Sequence, residues 1–225
     1  MRRLFEDELT DLHTRFSEMG MMVNEAIFKS VSAFINHDKT LARTVIAEDK
    51  QINKREVDLE KQSFEMIALQ QPVTTDLRMI VTVMKASSDL ERMGDHAVSI
   101  AKSTIRVKGT TRVPAIESEI ADMSAAVKKM VAEVLDAYVK EDAVRAREIA
   151  TEDHGINAFS KKIYADCIEQ MRQDSDTIVG AMDYMLVSSY LERIGDYVTN
   201  ICEWILYLRT GKLLELNSNA NEDGF

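Results

Sequence analysis

Two prolines and eight glycines in 225 residues leave this chain nearly without helix breakers. With Ala, Glu, Lys, Leu, Met and Asp abundant, the expected class is all-α, built from long helices. Only two cysteines are present, Cys167 and Cys202. Each falls on a predicted long helix with no neighbour at metal-ligand spacing, so they are expected as buried, reduced thiols in a cytoplasmic protein. Positive charge is short as well, with 28 Lys and Arg against 38 Asp and Glu and a net charge of −10. That balance excludes a nucleic-acid backbone as the main partner, because phosphate contacts need a basic surface, and suits cations or basic protein surfaces. Long hydrophobic runs are missing: the longest uncharged stretch is ten residues, 66–75, against roughly 20 for a membrane-spanning helix. Glu6, Asp7 and Glu8 follow Arg2 and Arg3, which leaves no apolar segment of a signal peptide. No Ser-His-Asp set, glycine-rich phosphate loop or nucleophilic cysteine is visible, so catalysis is not expected.

What is present is helical periodicity. Leu9, Leu12, Phe16, Met19, Val23, Ala26, Ile27 and Phe34 share one helix face, predicting a first helix over about 3–36. Asn36-His37-Asp38 interrupts it, and Asp38 can accept from the free amides that open a second helix, ending near Leu69. Pro72 disfavours helical geometry at the residue before it, which makes Gln70-Gln71-Pro72-Val73 a turn. A third helix follows from about Thr74 to Val107. The stretch 108–114, with a glycine, two threonines and a proline, is placed as the boundary between halves. Beyond it, helices are predicted over about 115–140, from Asp142 to about Arg172 and, after a turn at Gln173-Asp174-Ser175, to about Thr210, with Gly211 as C-cap. The expected organisation is two three-helix repeats in pseudo-symmetric arrangement, over residues 1–108 and 114–211. A tail over 212–225 follows, poorly ordered from Asn217.

The halves are copies. Met84-Lys85-Ala86-Ser87-Ser88-Asp89-Leu90-Glu91-Arg92-Met93-Gly94-Asp95 recurs 101 positions later as Met185-Leu186-Val187-Ser188-Ser189-Tyr190-Leu191-Glu192-Arg193-Ile194-Gly195-Asp196. Earlier matches, such as Glu48-Asp49 with Glu152-Asp153 and Ile52-Asn53 with Ile156-Asn157, fall at an offset of 104. The difference of three residues belongs to the turn between the second and third helices, shorter in the second half. Residues four apart share a helix face, so Glu91 pairs with Asp95 and Glu192 with Asp196. Each glutamate interrupts a largely apolar heptad series, Leu77, Met84, Val98 and Ile105 in one half and Ile178, Met185, Thr199 and Leu206 in the other.

Folding each hairpin back on itself brings further oxygens level. Asp49 and Asp95 are equidistant from residue 72, as are Asn53 and Glu91. Asp153 with Asp196, and Asn157 with Glu192, are equidistant from the junction of residues 174 and 175. Clustered carboxylates with an amide oxygen suit hard cations such as Mg²⁺ or Mn²⁺, or iron bound through oxygen. The expected metal-ligating set is therefore Glu91, Asp95, Asp49 and Asn53, with Glu192, Asp196, Asp153 and Asn157. Gly94 and Gly195, each costing roughly 1 kcal/mol in a helix interior, are explained by a close approach beside the acids or by simple helix crossing. Two other readings stay open at this point: a metal-free helical scaffold in which Arg92 and Arg193 neutralise the acids, and a carboxylate-bridged metalloenzyme. The enzyme reading wants Glu-x-x-His pairs, and none of His13, His37, His96 or His154 follows a glutamate by three.

The run from Ser87 to Val98, preceded by Leu69-Gln70-Gln71-Pro72-Val73-Thr74-Thr75-Asp76-Leu77-Arg78, resembles the signature of the PhoU family of phosphate-uptake regulators, and the duplication extends the resemblance over essentially the whole chain. It implies a cytoplasmic, usually dimeric, non-enzymatic protein. Such a protein negatively regulates the phosphate-starvation response with two partners, the ATPase subunit of a phosphate ABC transporter and a phosphate-responsive sensor histidine kinase. It would meet the membrane only through them. The resemblance also implies metal binding through paired Glu/Asp-x-x-x-Asp motifs, carried here by Glu91 with Asp95, Glu192 with Asp196, and the earlier-helix residues Asp49 and Asp153. Those earlier motifs end in Asn53 and Asn157 rather than aspartate, which removes two negative charges from the ligand set.

Overall fold

Asp38 and Asp142 set the chain's two matching helix starts. Asp38 accepts from the Thr40 and Leu41 amides, both at 2.9 Å, and Asp142 from those of Val144 and Arg145 at 3.0 and 2.9 Å. Each satisfies two amides that have no partner inside a helix. The computed structural model of the protein describes residues 2–107 and 111–216. Residues 108–110 of the expected boundary, and the tail from Asn217, lie outside the described residues. Six long helices carry the fold: α1 (Arg2–Ile35), α2 (Lys39–Gln70), α3 (Thr74–Arg106), α4 (Pro114–Val139), α5 (Ala143–Gln173) and α6 (Ile178–Thr210), with no strand among the described residues. Three residues, 71–73, join α2 to α3, and Gln71 takes a left-handed conformation there. Asp174 alone separates α5 from a 3₁₀ turn, Ser175–Thr177, that runs straight into α6. Counted to the 3₁₀ turn the second connection is one residue against three, although α6 proper starts only after residues 174–177. Gly211 closes α6 at φ 71° and donates to the Tyr207 carbonyl at 2.7 Å.

The helices form two layers. α2, α3, α6 and α5 lie side by side in that order, α1 packs on α2 and α3, α4 packs on α5 and α6, and α1 touches α4. Asp89 with Asn200, Arg92 with Tyr197 and Arg106 with Asp183 meet across the central pair, so α3 and α6 run antiparallel, and the same register sets Gly94 level with Gly195. One apolar core, containing Phe16, Met19, Leu90, Met93, Val131, Leu191 and Ile194, is continuous through both repeats. At the α1–α4 contact Gly20 lies against Leu135, and a Cβ there would come within 2.8 Å of Leu135 Cδ1.

A buried polar hub ties the repeats at one end. Glu117, 4% exposed, accepts from Arg112 (Nη2 to Oε2 at 2.6 Å, Nε to Oε1 at 3.1 Å) and from the Tyr184 hydroxyl at 2.8 Å, with His37 Nε2 3.3 Å away. Arg112 also donates to the Ile35 carbonyl at 2.6 Å, and the Val113 amide donates to the Tyr184 oxygen at 3.1 Å. One carboxylate on α4 therefore holds the end of α1, the segment between repeats, and α6.

Candidate metal centre

The α2–α3 pair builds the first acidic cluster. Asp49 is half-buried and accepts from Asn53 Nδ2 at 3.4 Å. Asp49 Oδ1 and Asn53 Oδ1 are buried without a hydrogen-bond partner. Gly94 clears space beside them, since a Cβ there would sit 3.6 Å from Asp49 Oδ1. Across the pair, Glu91 is half-buried and Asp95 exposed. Burial first, and then the charge of Asp95, pushes the Asp49 carboxyl above its usual range. Glu91 is pushed up by burial and then by Asp95, Glu56 and Asp49. The four expected residues therefore share one electrostatic neighbourhood, joined by Glu56. On the far side of Asp49, a cavity of about 230 Å³ is walled by Gly94, Glu48, Glu25 and Lys29, and Lys29 bridges Glu25 at 2.8 Å and Glu48 at 3.1 Å.

The second cluster is drier and better satisfied. Asp153 is 2% exposed and accepts from Asn157 Nδ2 at 2.9 Å, while its Oδ1 is buried without a partner. Glu192 accepts from the Ser160 hydroxyl at 2.7 Å, and Arg193 reaches Asp196 at 3.4 Å. Burial and then the charge of Asp196 push the Asp153 carboxyl up, and burial does the same to Asp196. Arg193 thus takes part of the neutralising role of the scaffold reading. Arg92 lies over the Tyr197 ring, 5.9 Å from its centre, and its charge still offsets part of the upward push on Glu91.

Sequence reasoning missed Glu56 and Ser160. They are counterparts at the offset of 104, on the same helix face as Asp49-Asn53 and Asp153-Asn157, one turn further on. A third step along that face would have found them. The heptad series that the glutamates interrupt is buried at one end and open at the other: Val98, Thr199 and Leu206 are buried, Leu77, Met84, Ile105 and Met185 half-buried, and Ile178 exposed. His96 is held between Tyr190 and Tyr197, with ring centres 5.7 and 5.8 Å away. Cys167 and Cys202 are buried, and burial pushes both thiols up to about 12, so neither supplies a thiolate.

Among the described residues, no group of three or more His, Cys, Asp or Glu side chains stands arranged to hold a metal ion. Mutual repulsion favours spread carboxylates. The donor set itself fits a hard cation, because buried carboxylate and amide oxygens with no donor facing them are what such an ion satisfies. In the first half the candidates are Asp49, Asn53, Glu56, Glu91 and Asp95.

The twin glycines differ in a testable way. A Cβ on Gly195 would meet Asp153 Oδ1 at 2.8 Å, and that oxygen is buried. On Gly94 the nearest contact would be an ordinary 3.4 Å to Ile52. Gly195→Ala is expected to lose about 1–2 kcal/mol net of the gain in helix propensity, and Gly94→Ala to change stability little or raise it by up to about 1 kcal/mol. Paired urea melts measure the contrast.

A family model described as the PhoU domain matches residues 16–104 and 120–205. The chain is similar to a phosphate-specific transport system accessory protein PhoU homolog of Clostridium acetobutylicum, 36% identical over 217 residues that cover 96% of this chain and 99% of the relative. The crystal structure of the phosphate transport system regulatory protein PhoU from Streptococcus pneumoniae superposes with a TM-score of 0.88 at 32% identity, covering 93% of this chain and 99% of that one. PhoU from Pseudomonas aeruginosa gives the same TM-score and identity over 92% of this chain and 100% of that one.

Proposed function

The chain belongs to the PhoU domain family, and from that premise we propose that it is a non-catalytic accessory protein of phosphate-specific transport whose docking on other proteins is tuned by cations held in its acidic clusters. End-to-end similarity to proteins named for that accessory role carries the proposal. The partners proposed are the ATPase subunit of a phosphate ABC transporter and a phosphate-responsive sensor histidine kinase, and the outcome is repression of the phosphate-starvation response. The protein would act as a homodimer in the cytoplasm. No helix among the described residues is long and apolar enough to cross a membrane, which agrees with contact through partners.

The unpaired buried oxygens of Asp49 and Asn53 support the cation part. The ion is a hard divalent or trivalent one, Mg²⁺, Mn²⁺ or iron, which oxygen ligands favour. Glu56 stands where the second half has Ser160, and Glu91 is repelled by three neighbouring carboxylates, whereas Glu192 accepts from Ser160. The first cluster should therefore fill first. An ion there would draw Glu91 and Asp95 of α3 toward Asp49 and Glu56 of α2, removing the repulsion that now spreads them.

Chelated protein titrated with Mn²⁺ is expected to take up metal stoichiometrically and to melt higher as it does so, since a ligand of the native state stabilises it by mass action. Glu91→Ala/Asp95→Ala should weaken uptake by at least about tenfold, two charged ligands being worth more than the 1.4 kcal/mol that corresponds to that factor. Binding of the ATPase subunit and kinase, measured with and without metal, then reads the tuning. Absence of stoichiometric metal, together with an unmoved melting temperature, would return the acids to the scaffold reading.

A further inference from the structure

The first three turns of α6 present a stripe that the fold does not need. Ile178, Val179, Met182 and Leu186 are 39–58% exposed, an arrangement that costs solubility unless something covers it. The duplication supplies an internal control. Val179 and Leu186 correspond to Arg78 and Lys85 of α3, and the counterparts of Ile178 and Met182, which are Leu77 and Val81, are half-buried. The two repeats thus differ in both chemistry and cover: Leu77, Arg78 and Val81 are half-buried, with Arg78 against Gly211, whereas Ile178, Val179 and Met182 are exposed, and exposed Lys85 is replaced by exposed Leu186.

The charges at the ends of the stripe select its occupant. Asp174 and Asp176 precede it. Arg193 follows, its side chain 65% exposed, reaching Asp196 within the chain at 3.4 Å. At about 100° per residue, Arg193 lies within about 20° of both Met182 and Leu186 around the helix. Read along α6 the order is acid, apolar, base, and the complement of that order is the same order reversed. An isologous contact supplies it, because a twofold axis presents each patch to its own copy running the other way.

We infer that this face of α6 is a dimer interface in which α6 of one protomer lies antiparallel on α6 of a second copy, about an axis between Met182 and Leu186. Met182 then meets Leu186 of the partner subunit, and Arg193 falls beside the Asp174–Asp176 turn across the axis. The inference rests on the dimeric reading above and gives that dimer its face. It leaves the first acidic cluster untouched, takes Arg193 from its pairing with Asp196 in the second, and uses no metal.

Sedimentation equilibrium on the full chain tests it. Val179→Arg/Leu186→Lys installs the residues that the first repeat already carries at those positions. The double variant should keep its helical circular dichroism and raise the dimer dissociation constant by at least about tenfold. Arg193→Asp should weaken the dimer, and Arg193→Asp/Asp176→Arg should restore it. If the double variant aggregates, the charge-swap pair decides, and a swap without rescue overturns the inference. A monomeric wild type sinks the dimer reading and this inference together. A wild-type dimer that survives Val179→Arg/Leu186→Lys sinks this inference alone, and if that variant also loses the ATPase subunit, the stripe is a transporter contact instead.

Discussion

Glu117→Gln is expected to lower the unfolding free energy by about 2–3 kcal/mol at neutral pH, as breaking a buried, charge-assisted network does. The side chain is nearly sealed, and Arg112 from five residues upstream, Tyr184 from α6 and His37 from the end of α1 converge on it. Glutamine keeps the volume but replaces one accepting oxygen with an NH₂ that faces donors. The sign with pH follows from the same contacts. Burial pushes the Glu117 carboxyl up, but the hydrogen bonds from Arg112, Tyr184 and His37 outweigh it and leave the group below its usual value. The unfolded chain therefore takes up the proton first, and the contribution is present above the ordinary glutamate value, about 4.3, and disappears as pH falls through the lowered one. Urea melts of wild type and variant at pH 7 and in acid should differ at the former and converge at the latter. A gap that does not close in acid would mean that shape, and not charge, carries the hub.

Gly20→Val should destabilise by about 3 kcal/mol. The glycine is buried on α1 against α4, and its missing side chain is occupied by the Leu135 isopropyl group. Moving Leu135 aside means displacing a neighbour of the shared core; overpacking of this kind costs about 1–3 kcal/mol and a β-branched residue sits at the upper end. Gly155 is the control, with nothing within 4 Å of its would-be Cβ. Gly155→Ala should gain up to about 1 kcal/mol from helix propensity alone. If both glycines respond alike in denaturant melts, the α1–α4 approach is not what Gly20 serves.

Local signals in the chain carried much of this architecture. Asp38, Asp142 and Gly211 announce helix ends because capping is settled by residues a few positions apart, and the two offsets located the turn at which the halves differ. The levels of Asp49 with Asp95 and Asp153 with Asp196 followed from hairpin arithmetic, which needs only helix rise and the turn. What escaped were contacts between helices. Glu117 on α4 gives no hint that Tyr184 of α6 and His37 at the end of α1 will meet it, because pairings between elements far apart in sequence leave no periodic trace. Glu25, Lys29 and Glu48 behind Asp49 were hidden in the same way. The inequality of the clusters was hidden by the likeness of the motifs, since Glu56 and Ser160 differ while the residues around them agree.

The uninterrupted interior shared by the repeats bears on how such a chain could have arisen. Severed between α3 and α4, each piece would carry a bare greasy flank along α3 or α6 that only the other piece matches. A half-length chain of this shape would need a second copy, the two pairing antiparallel about a twofold axis along their third helices. In the joined chain the same encounter is intramolecular and takes place at high effective concentration. Each half was then free to drift from its twin, and the unequal acid pockets and the lopsided outer faces of α3 and α6 record that freedom.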